Sequence, residues 1–213
     1  RLVKKIMDSN VLGEIYHIKG ESYGPVVTKE KADTWRSSAS EGGGCLYDYA
    51  SHVLNLMQYF VGPPKDVSGT ILRKIYSKNV EDAVFSTLIY NNQLSGQISV
   101  NWSEETYRKM TTKIEVLGKN GKVISDAQEC QLYLKDAKDF KDYNKGWNSY
   151  WITDQTKPVW FNLRGEEYSS QLDYFISSIE NQTIDNLNSF EESYKTDQTI
   201  DLLRKKYFES KNG

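Results

Sequence analysis

The sequence of 213 residues has little of what several classes of function require. It contains two histidines and two cysteines, too few for a cluster of imidazole and thiolate ligands, so we expect no metal site. Its 27 basic and 29 acidic residues are interspersed and give a net charge of −2, which argues against nucleic acid or an anionic membrane as a partner. No apolar run approaches the ~18 residues of a membrane span, and no secretory signal is recognisable, so we expect a cytoplasmic location.

The two cysteines, Cys45 and Cys130, are expected to be buried or free thiols rather than a disulfide, as is usual inside cells. With 38% hydrophobic residues, the chain is long enough to bury a core without such a bridge. We therefore expect residues 1–213 to form one domain.

The chain also lacks the glycine-rich fingerprint of a dinucleotide-binding domain. No G-x-G-x-x-G occurs in it, and the run Gly42–Gly44 follows no strand-like segment. The residues that distinguish NAD from NADP belong to such a domain, so the sequence does not indicate the choice between them.

The most informative segment runs from the triple glycine into a predicted helix that ends at Gly62–Pro64. Four residues separate Asp48 from His52, which places a carboxylate and an imidazole on one helical face. A projection of residues 45–61 at about 100° per residue gives two arcs. The apolar arc holds Leu46, Tyr49, Ala50, Val53, Leu54, Leu56, Met57, Phe60 and Val61, and the polar arc, directed away from the core, holds Asp48, Ser51, His52, Asn55, Gln58 and Tyr59. Spacing alone favours an ordinary solvated face.

The rest of the chain predicts an α+β domain with a large, mainly antiparallel open sheet and helices on one face. Clean alternation of polar and apolar residues, as in 97–102, is typical of strands with one covered face. Hairpin turns are expected at Asn91-Asn92 and Asn120-Gly121. Strands are expected near residues 14–24, 66–76, 82–90, 95–103, 110–118, 121–126 and 130–135, and helices at the start of the chain and at 45–61, 167–181 and 190–208.

Aromatic residues mark two further segments. A polar stretch from Asp136 to Pro158 carries several, and they either stack on sugar rings or, as we favour, pack an irregular excursion onto the sheet. These residues are Trp147, Tyr150, Trp151 and, just beyond the stretch, Trp160. Trp35 and Arg36, before the triple glycine, either anchor their loop or form a wall and an anion-binding fork for a sugar or its phosphate.

The pattern G-G-G-x-L-x-D-x-x-x-H over residues 42–52 resembles the helix signature of the Gfo/Idh/MocA oxidoreductases. This family includes glucose–fructose oxidoreductase, inositol dehydrogenases and sugar-nucleotide dehydrogenases. Three further segments, 12–15, 114–123 and 168–181, are similar to parts of the family's second domain, so the resemblance spans most of residues 2–208. Two residues depart from it: Ala50 stands where the family often has Gly, and Asn55 where it often has Asp, which removes a charge.

The resemblance implies roles for individual residues. It makes His52 the acid/base that exchanges a proton with a substrate hydroxyl, because an imidazole can act in either direction near neutral pH. Asp48 is implied as its partner, accepting a hydrogen bond from the ring or holding a substrate hydroxyl. Further contacts are implied with a sugar-like substrate, by Trp35, Arg36 and Asn55, and with the nicotinamide, by Gly43 and Gly44.

The resemblance also implies a missing half. The family's Glu-Lys-Pro motif, which supplies a lysine that shares the proton relay, does not occur, and neither does the dinucleotide fingerprint. We therefore expect this chain to be a second domain without its Rossmann domain. The full-length protein would use NAD or NADP, whereas this domain alone would bind no cofactor and catalyse no hydride transfer. Whether His52 or the lysine is the main base stays open.

The resembling family pairs its second domains through the open face of the sheet, which implies a homodimer or a tetramer. Two other functions remain. A non-catalytic sugar-binding or dimerisation module is favoured by Ala50 and Asn55, but the intact Asp48–His52 pair argues against it. An NAD-dependent glycosidase on the same scaffold is the other.

Overall fold

Eight strands form one sheet, and buried and partly exposed side chains alternate along most of them. The computed structural model describes residues 1–30, 34–91, 93–155, 161, 166–182 and 188–212. The strands are β1 (Ile15–Tyr23), β2 (Asp66–Arg73), β3 (Ala83–Ile89), β4 (Ser95–Asn101), β5 (Thr111–Gly118), β6 (Gly121–Ser125), β7 (Glu129–Leu134) and β8 (Gly146–Trp151). The helices are α1 (Leu2–Asp8), α2 (Ser51–Val61), α3 (Ile152–Gln155), α4 (Glu166–Glu180) and α5 (Phe190–Asn212).

The sheet has the order β2-β3-β4-β1-β5-β6-β7-β8. The pair β1–β4 is parallel and every other neighbouring pair is antiparallel. This confirms the prediction of a large, mainly antiparallel open sheet. The long connection from β1 to β2 contains the triple glycine and α2, so the candidate site lies over the middle of the sheet.

Helix α2 packs directly on β1. The inward-facing residues Ile18, Gly20 and Ser22 are buried, and a Cβ added to Gly20 would lie 2.4 Å from Val53 Cγ1 and 2.7 Å from Met57 Sδ. Glycine at this strand position therefore lets the helix approach the sheet closely, at a site where any side chain would collide. The opposite face of β1 is only partly covered, which confirms that the helices lie on one side.

The helix at residues 45–61 begins differently from the prediction. Residues Leu46–Ala50 form a π-helical turn, and the α-helix starts only at Ser51. The Ser51 hydroxyl donates to the Tyr47 carbonyl oxygen at 2.7 Å, while the Ser51 N–H donates to the carbonyl oxygen of Leu46. Because the hydroxyl takes the acceptor that an α-helix would give to the Ser51 N–H, the backbone bond moves one residue back and widens the turn.

The prediction that Asn55 and Gln58 face outward with Asp48 and His52 is wrong. Asn55 Nδ2 donates to Thr196 Oγ1 of α5 at 3.2 Å. Gln58 is buried, and its Nε2 donates to the Glu192 carbonyl oxygen at 3.0 Å. Helical periodicity identifies polar positions but cannot show that a second helix covers them.

Two turns and one strand also differ from the prediction. The β5–β6 turn consists of Lys119 and Asn120, and Gly121 already begins β6. At the β3–β4 hairpin, Leu94 N–H donates to the Asn91 carbonyl oxygen at 3.3 Å, while residue 92 lies outside the described residues. Strand β2 ends at Arg73 rather than near residue 76.

The stretch predicted as an irregular excursion contains a regular edge strand, β8, followed by the short helix α3. Trp147 packs on Tyr133 of the neighbouring strand, with ring centroids 5.2 Å apart. Neither face of β8 is fully buried, so its sequence lacks the alternation by which the other strands were predicted. Residues 156–160, which include Pro158 and Trp160, lie outside the described residues.

Both cysteines are buried free thiols, as predicted. Burial raises the pKa of Cys130 to about 11 and that of Cys45 well above the ordinary value, so neither is a reactive thiolate. Among the helices described, none combines the length and the apolar character that crossing a bilayer requires.

Buried Asp82 explains why β2 ends early. Its carboxylate accepts the backbone N–H groups of Ile75, Tyr76 and Ser77 within 2.8 Å, and the Trp102 indole N–H at 2.7 Å. Burial opposes the negative charge, but these hydrogen bonds, together with one from the Ser77 hydroxyl, outweigh it and lower the pKa of Asp82. One carboxylate thus holds both the β2–β3 turn and the largest fully buried side chain.

Replacing Asp82 with Asn should lower the free energy of unfolding at pH 7 by about 2–4 kcal/mol. The amide NH₂ group takes the place of one carboxylate oxygen, so the N–H and O–H donors around that oxygen lose their acceptor. In the unchanged protein, the lowered pKa means that Asp82 stabilises the fold above about pH 4 and that this contribution is lost as the pH falls further. Urea unfolding at several pH values measures both effects.

Asp126→Asn is the matched control, because that carboxylate also accepts two backbone N–H groups, from Gln128 and Glu129, but lies at a surface turn. It should cost less than about 1 kcal/mol. Equal losses in the two variants would contradict the role given to Asp82.

Candidate active site

Backbone hydrogen bonds join two other segments to the residues just before the π-helical turn. The Gly44 N–H donates to the Arg36 carbonyl oxygen at 3.2 Å, and the Cys45 N–H donates to the Glu81 carbonyl oxygen at 2.9 Å. Arg36 lies in a 3₁₀ turn and Glu81 lies just before β3. The helix start is therefore held from both sides.

An ion pair brings three of the predicted site residues together. Arg36 Nε donates to Asp48 Oδ2 at 2.8 Å, and the Arg36 guanidinium lies 4.5 Å from the centre of the Trp35 ring. Asp48 is mostly covered, whereas Arg36 and Trp35 remain substantially exposed. The ring on one side and the carboxylate on the other hold the guanidinium in place.

His52 is exposed on the first turn of α2. Within the described residues, no hydrogen bond or ion pair joins it to Asp48, whose Oδ2 is taken by Arg36. The structure therefore brings Asp48 to Arg36 and leaves the imidazole directed at solvent. The proton-exchange role of His52 and its partnership with Asp48 stay predictions.

Asn55 belongs to a different set of contacts. One helical turn beyond His52, its side-chain amide donates to Thr196 of α5. This bond helps to fix α5 on α2, and it uses one of the donors that a substrate contact would need. Substrate binding by Asn55 stays a prediction.

The three glycines have different surroundings. A Cβ on Gly43 would lie 2.5 Å from the carbonyl oxygens of Trp35 and Arg36, and one on Gly44 would lie 2.4 Å from Glu81 Oε1. Only Gly42 has open space, with nothing within 4 Å. At Gly43 and Gly44, the side where a Cβ would stand is therefore occupied by other protein atoms. Their expected proximity to the nicotinamide stays a prediction.

Sequence reasoning missed Glu81. Its Oε1 accepts the Leu46 N–H at 2.9 Å, across 35 positions of sequence. Burial raises the pKa of Glu81, and the hydrogen bond from Leu46 opposes that rise. No spacing rule connects a residue before β3 with a helix start so far away, so only the adjacent acidic residues Glu81 and Asp82 could have drawn attention to it.

Among the described residues, this region forms neither a metal-binding cluster nor an open glycine turn. In the part of the chain that the structure describes, no three His, Cys, Asp or Glu side chains are grouped so that they could hold a metal ion. Gly43 and Gly44 face protein atoms, so these residues do not form the open glycine turn that binds a pyrophosphate.

Comparison with known protein families gives a direct match. The model of the GFO/IDH/MocA C-terminal domain matches residues 1–124, more than half of the chain. The chain belongs to this family. The match includes the triple glycine, the Arg36–Asp48 ion pair, His52 and Glu81.

Solved structures show the same fold over almost the whole chain of this family member. Levoglucosan dehydrogenase in complex with NADH and levoglucosan has a TM-score of 0.79 at 19% identity, covering 98% of this chain and 60% of its own. An NAD binding oxidoreductase from Klebsiella pneumoniae has a TM-score of 0.78 at 17% identity, covering 96% and 60%. KijD10, a 3-ketoreductase from Actinomadura kijaniata in complex with NADP and TDP-benzene, has a TM-score of 0.72 at 17% identity, covering 97% and 58%.

The chain thus spans about 60% of the length of the solved structures that it matches. A comparison with curated protein sequences found no match. At these identities the structural likeness establishes the fold of this GFO/IDH/MocA domain, while residue roles depend on its own geometry.

Gly44→Ala should destabilise the protein more than Gly42→Ala. Both glycines have positive φ, 77° for Gly42 and 106° for Gly44, so each alanine carries a backbone cost of roughly 1–2 kcal/mol. Only the Gly44 variant also pushes a methyl group into the Glu81 carboxyl, which should add about 1–3 kcal/mol. Thermal and urea unfolding of the two variants provide the comparison, and equal destabilisation would contradict the contact.

Proposed function

We propose that the protein containing this chain is an NAD(P)-dependent oxidoreductase that acts on the CH–OH group of a sugar, an inositol or a sugar nucleotide. This chain is its substrate-binding domain. The observation that carries the proposal is the fixed Arg36–Asp48 pair, with an exposed His52 four residues after Asp48, in a member of the GFO/IDH/MocA family. The complexes of the structural neighbours with NADH and levoglucosan, and with NADP and TDP-benzene, support it.

A bound nicotinamide supplies hydride acceptance or donation at the substrate carbon. This chain has no G-x-G-x-x-G, so sequence outside residues 1–213 would hold the dinucleotide. The solved relatives contain about 40% of their length beyond the part matched here, which is enough for such a domain.

His52 takes the proton from the substrate hydroxyl during oxidation and returns it during reduction. Its exposure lets a substrate reach the ring, and within the described part of the chain no hydrogen bond competes for the ring nitrogens. Because His52 lies on the first turn of α2, the packing of α2 on β1 fixes the position of its backbone.

Asp48 orients the substrate. Arg36 holds its Oδ2, which leaves Oδ1 to accept a substrate hydroxyl or a ring N–H of His52. Because Asp48 already neutralises the guanidinium charge, the pair favours hydroxyl groups over a phosphate at this point. The exposed Trp35 ring then provides an apolar surface for a sugar ring.

In the full-length protein, His52→Ala and Asp48→Asn should each lower kcat by roughly 10²- to 10⁴-fold, because each removes a group that moves or orients a proton. The KM for the cofactor should stay within about twofold, since neither residue lies in a dinucleotide site. Steady-state kinetics with the best substrate of a screen of sugars, inositols and sugar nucleotides, followed by the absorbance of reduced nicotinamide, measures both.

The control is His17→Asn, which removes the only other histidine of the chain, on β1. It should leave kcat unchanged. Near-normal turnover in both site variants would reject the assignment. Cleavage of a glycoside without net cofactor reduction would instead identify the glycosidase, and an absence of turnover with retained sugar binding would identify the non-catalytic module.

The open sheet face suits pairing with a second copy. On β2 and β3, Ile71 and Phe85 lie opposite each other in register and are 49% and 38% exposed. At the other edge, Trp147 and Trp151 of β8 are also exposed. These two apolar groups flank a charged middle where Lys122 pairs with Glu115.

The size of this face agrees with a dimer. Eight strands spaced ~4.8 Å apart give a width of about 34 Å, and strand lengths of ~17–30 Å then give roughly 600–1,000 Å². A stable interface buries about 800 Å² on each partner. We propose that two copies pair through this face, as a dimer or within a tetramer.

Phe85→Glu should shift the protein from dimer or tetramer toward monomer at micromolar concentration, because it buries an unpaired charge in the proposed interface. Sedimentation equilibrium measures the shift. Phe190→Glu is the control, since Phe190 is 97% exposed at the start of α5, and it should leave the assembly unchanged. An unmodified protein that is only monomeric would reject the dimer.

A further inference from the structure

Glu81 caps a helix that is distant from it in sequence. Its side-chain Oε1 accepts the N–H of Leu46 at 2.9 Å, and its backbone oxygen accepts the N–H of Cys45 at 2.9 Å. The first N–H groups of a helix have no partner inside the helix, and a polar group of the same segment commonly satisfies them. Here one residue, 35 positions after Leu46, satisfies two of them.

Glu81 itself is firmly held. Val80 before it and Asp82 after it are both buried, and Asp82 is fixed by the Trp102 indole and by the turn at residues 75–77. The backbone that presents Glu81 is therefore anchored to the sheet. Any movement of its carboxyl must come from the side chain alone.

The carboxyl and Gly44 are fitted to each other. A Cβ on Gly44 would lie 2.4 Å from Oε1 and 2.9 Å from the carboxyl carbon of Glu81. Gly44 also carries the acceptor for Asp48, whose N–H donates to the Gly44 carbonyl oxygen at 3.1 Å. Gly44 thus contacts the Glu81 carboxyl and also accepts the hydrogen bond of the Asp48 N–H.

The other end of Asp48 is fixed as well, because its carboxylate accepts from Arg36. A shift of the helix start would therefore displace Asp48 from Arg36 and change its distance from His52. A misplacement of about 1 Å at a reacting group commonly costs 10²-fold in rate.

We propose that Glu81 is a positioning residue of the active site: by capping Leu46 and filling the space at Gly44, it sets where Asp48 stands relative to Arg36 and His52. Glu81 itself touches neither substrate nor cofactor. This role rests on the proposed function, because the positions of Asp48 and His52 affect the rate only if these two residues take part in the reaction.

In the full-length protein, Glu81→Ala removes the acceptor, and Glu81→Gln keeps a side-chain oxygen at the same distance. The alanine variant should lower kcat about 10- to 100-fold, leave the KM for the cofactor within about twofold, and shift the inflection of the pH profile of kcat. The glutamine variant should restore most of kcat. The ¹⁵N chemical shifts of the His52 ring, measured without substrate, should change in the alanine variant and stay close to the original in the glutamine variant.

Val123→Ala is the control for general destabilisation, because Val123 is buried in β6, outside the set of residues that hold the helix start. It should lower the melting temperature without affecting the pH profile or the His52 ring shifts. Overturning results would be Glu81→Ala behaving like Val123→Ala, or Glu81→Gln being as impaired as Glu81→Ala.

If Glu81→Ala does not fold, Glu81→Asp replaces it, since the shorter carboxylate keeps the charge but cannot reach Leu46. Unchanged kcat and ring shifts in that variant would equally overturn the inference. Failure of the proposed function is recognised separately, by normal turnover of His52→Ala and Asp48→Asn, whereas the ring shifts of His52 report its surroundings whether or not the protein turns over substrate.

Discussion

Two adjacent carboxylates, Glu81 and Asp82, tie the β2–β3 hairpin to the rest of the fold. Glu81 accepts a hydrogen bond from the Leu46 N–H at the helix start. Asp82 accepts hydrogen bonds from the backbone N–H groups of residues 75–77 and from the indole N–H of Trp102. A buried carboxylate is costly unless several donors surround it, so Asp82 is stable only with its partners in place. Because Glu81 and Asp82 are neighbours in sequence, this short segment fixes the helix start at Leu46 to the sheet.

The glycine run is better understood as a packing device than as an approach route for a ligand. Gly43 lies on the backbone of Trp35 and Arg36, and Gly44 lies on Glu81. These contacts bring the 3₁₀ turn against the helix start, which is what allows Arg36 to reach Asp48. Gly42 differs, because its free position faces open space. Close packing therefore explains Gly43 and Gly44, whereas the positive φ of the loop explains Gly42.

Local patterns predicted most of the strands and helices, and the failures have separate physical causes. Alternation at residues 97–102 and helical periodicity after Ser51 are properties of short segments, so the sequence shows them directly. The π turn at Leu46–Ala50 depends on one hydroxyl bond, and the covering of Asn55 and Gln58 depends on residues of α5 that lie 141 and 134 positions later. The resemblance to a family led to Asp48 and His52, but Glu81 became recognisable only when the fold placed it under the helix.

The pairing of Asp48 with Arg36, rather than with His52, changes how the site would act. An acid/base group must exchange its proton with the substrate, and in the described part of the chain no hydrogen bond occupies either ring nitrogen of His52. In this arrangement the carboxylate is fixed by a guanidinium, so its second oxygen has a defined position, and the imidazole remains accessible on the adjacent turn. Under the proposed function, Asp48 would orient the substrate and His52 would exchange the proton. The Asp48 carboxylate is held by Arg36 before any substrate binds, which is the condition under which polar groups contribute most to catalysis.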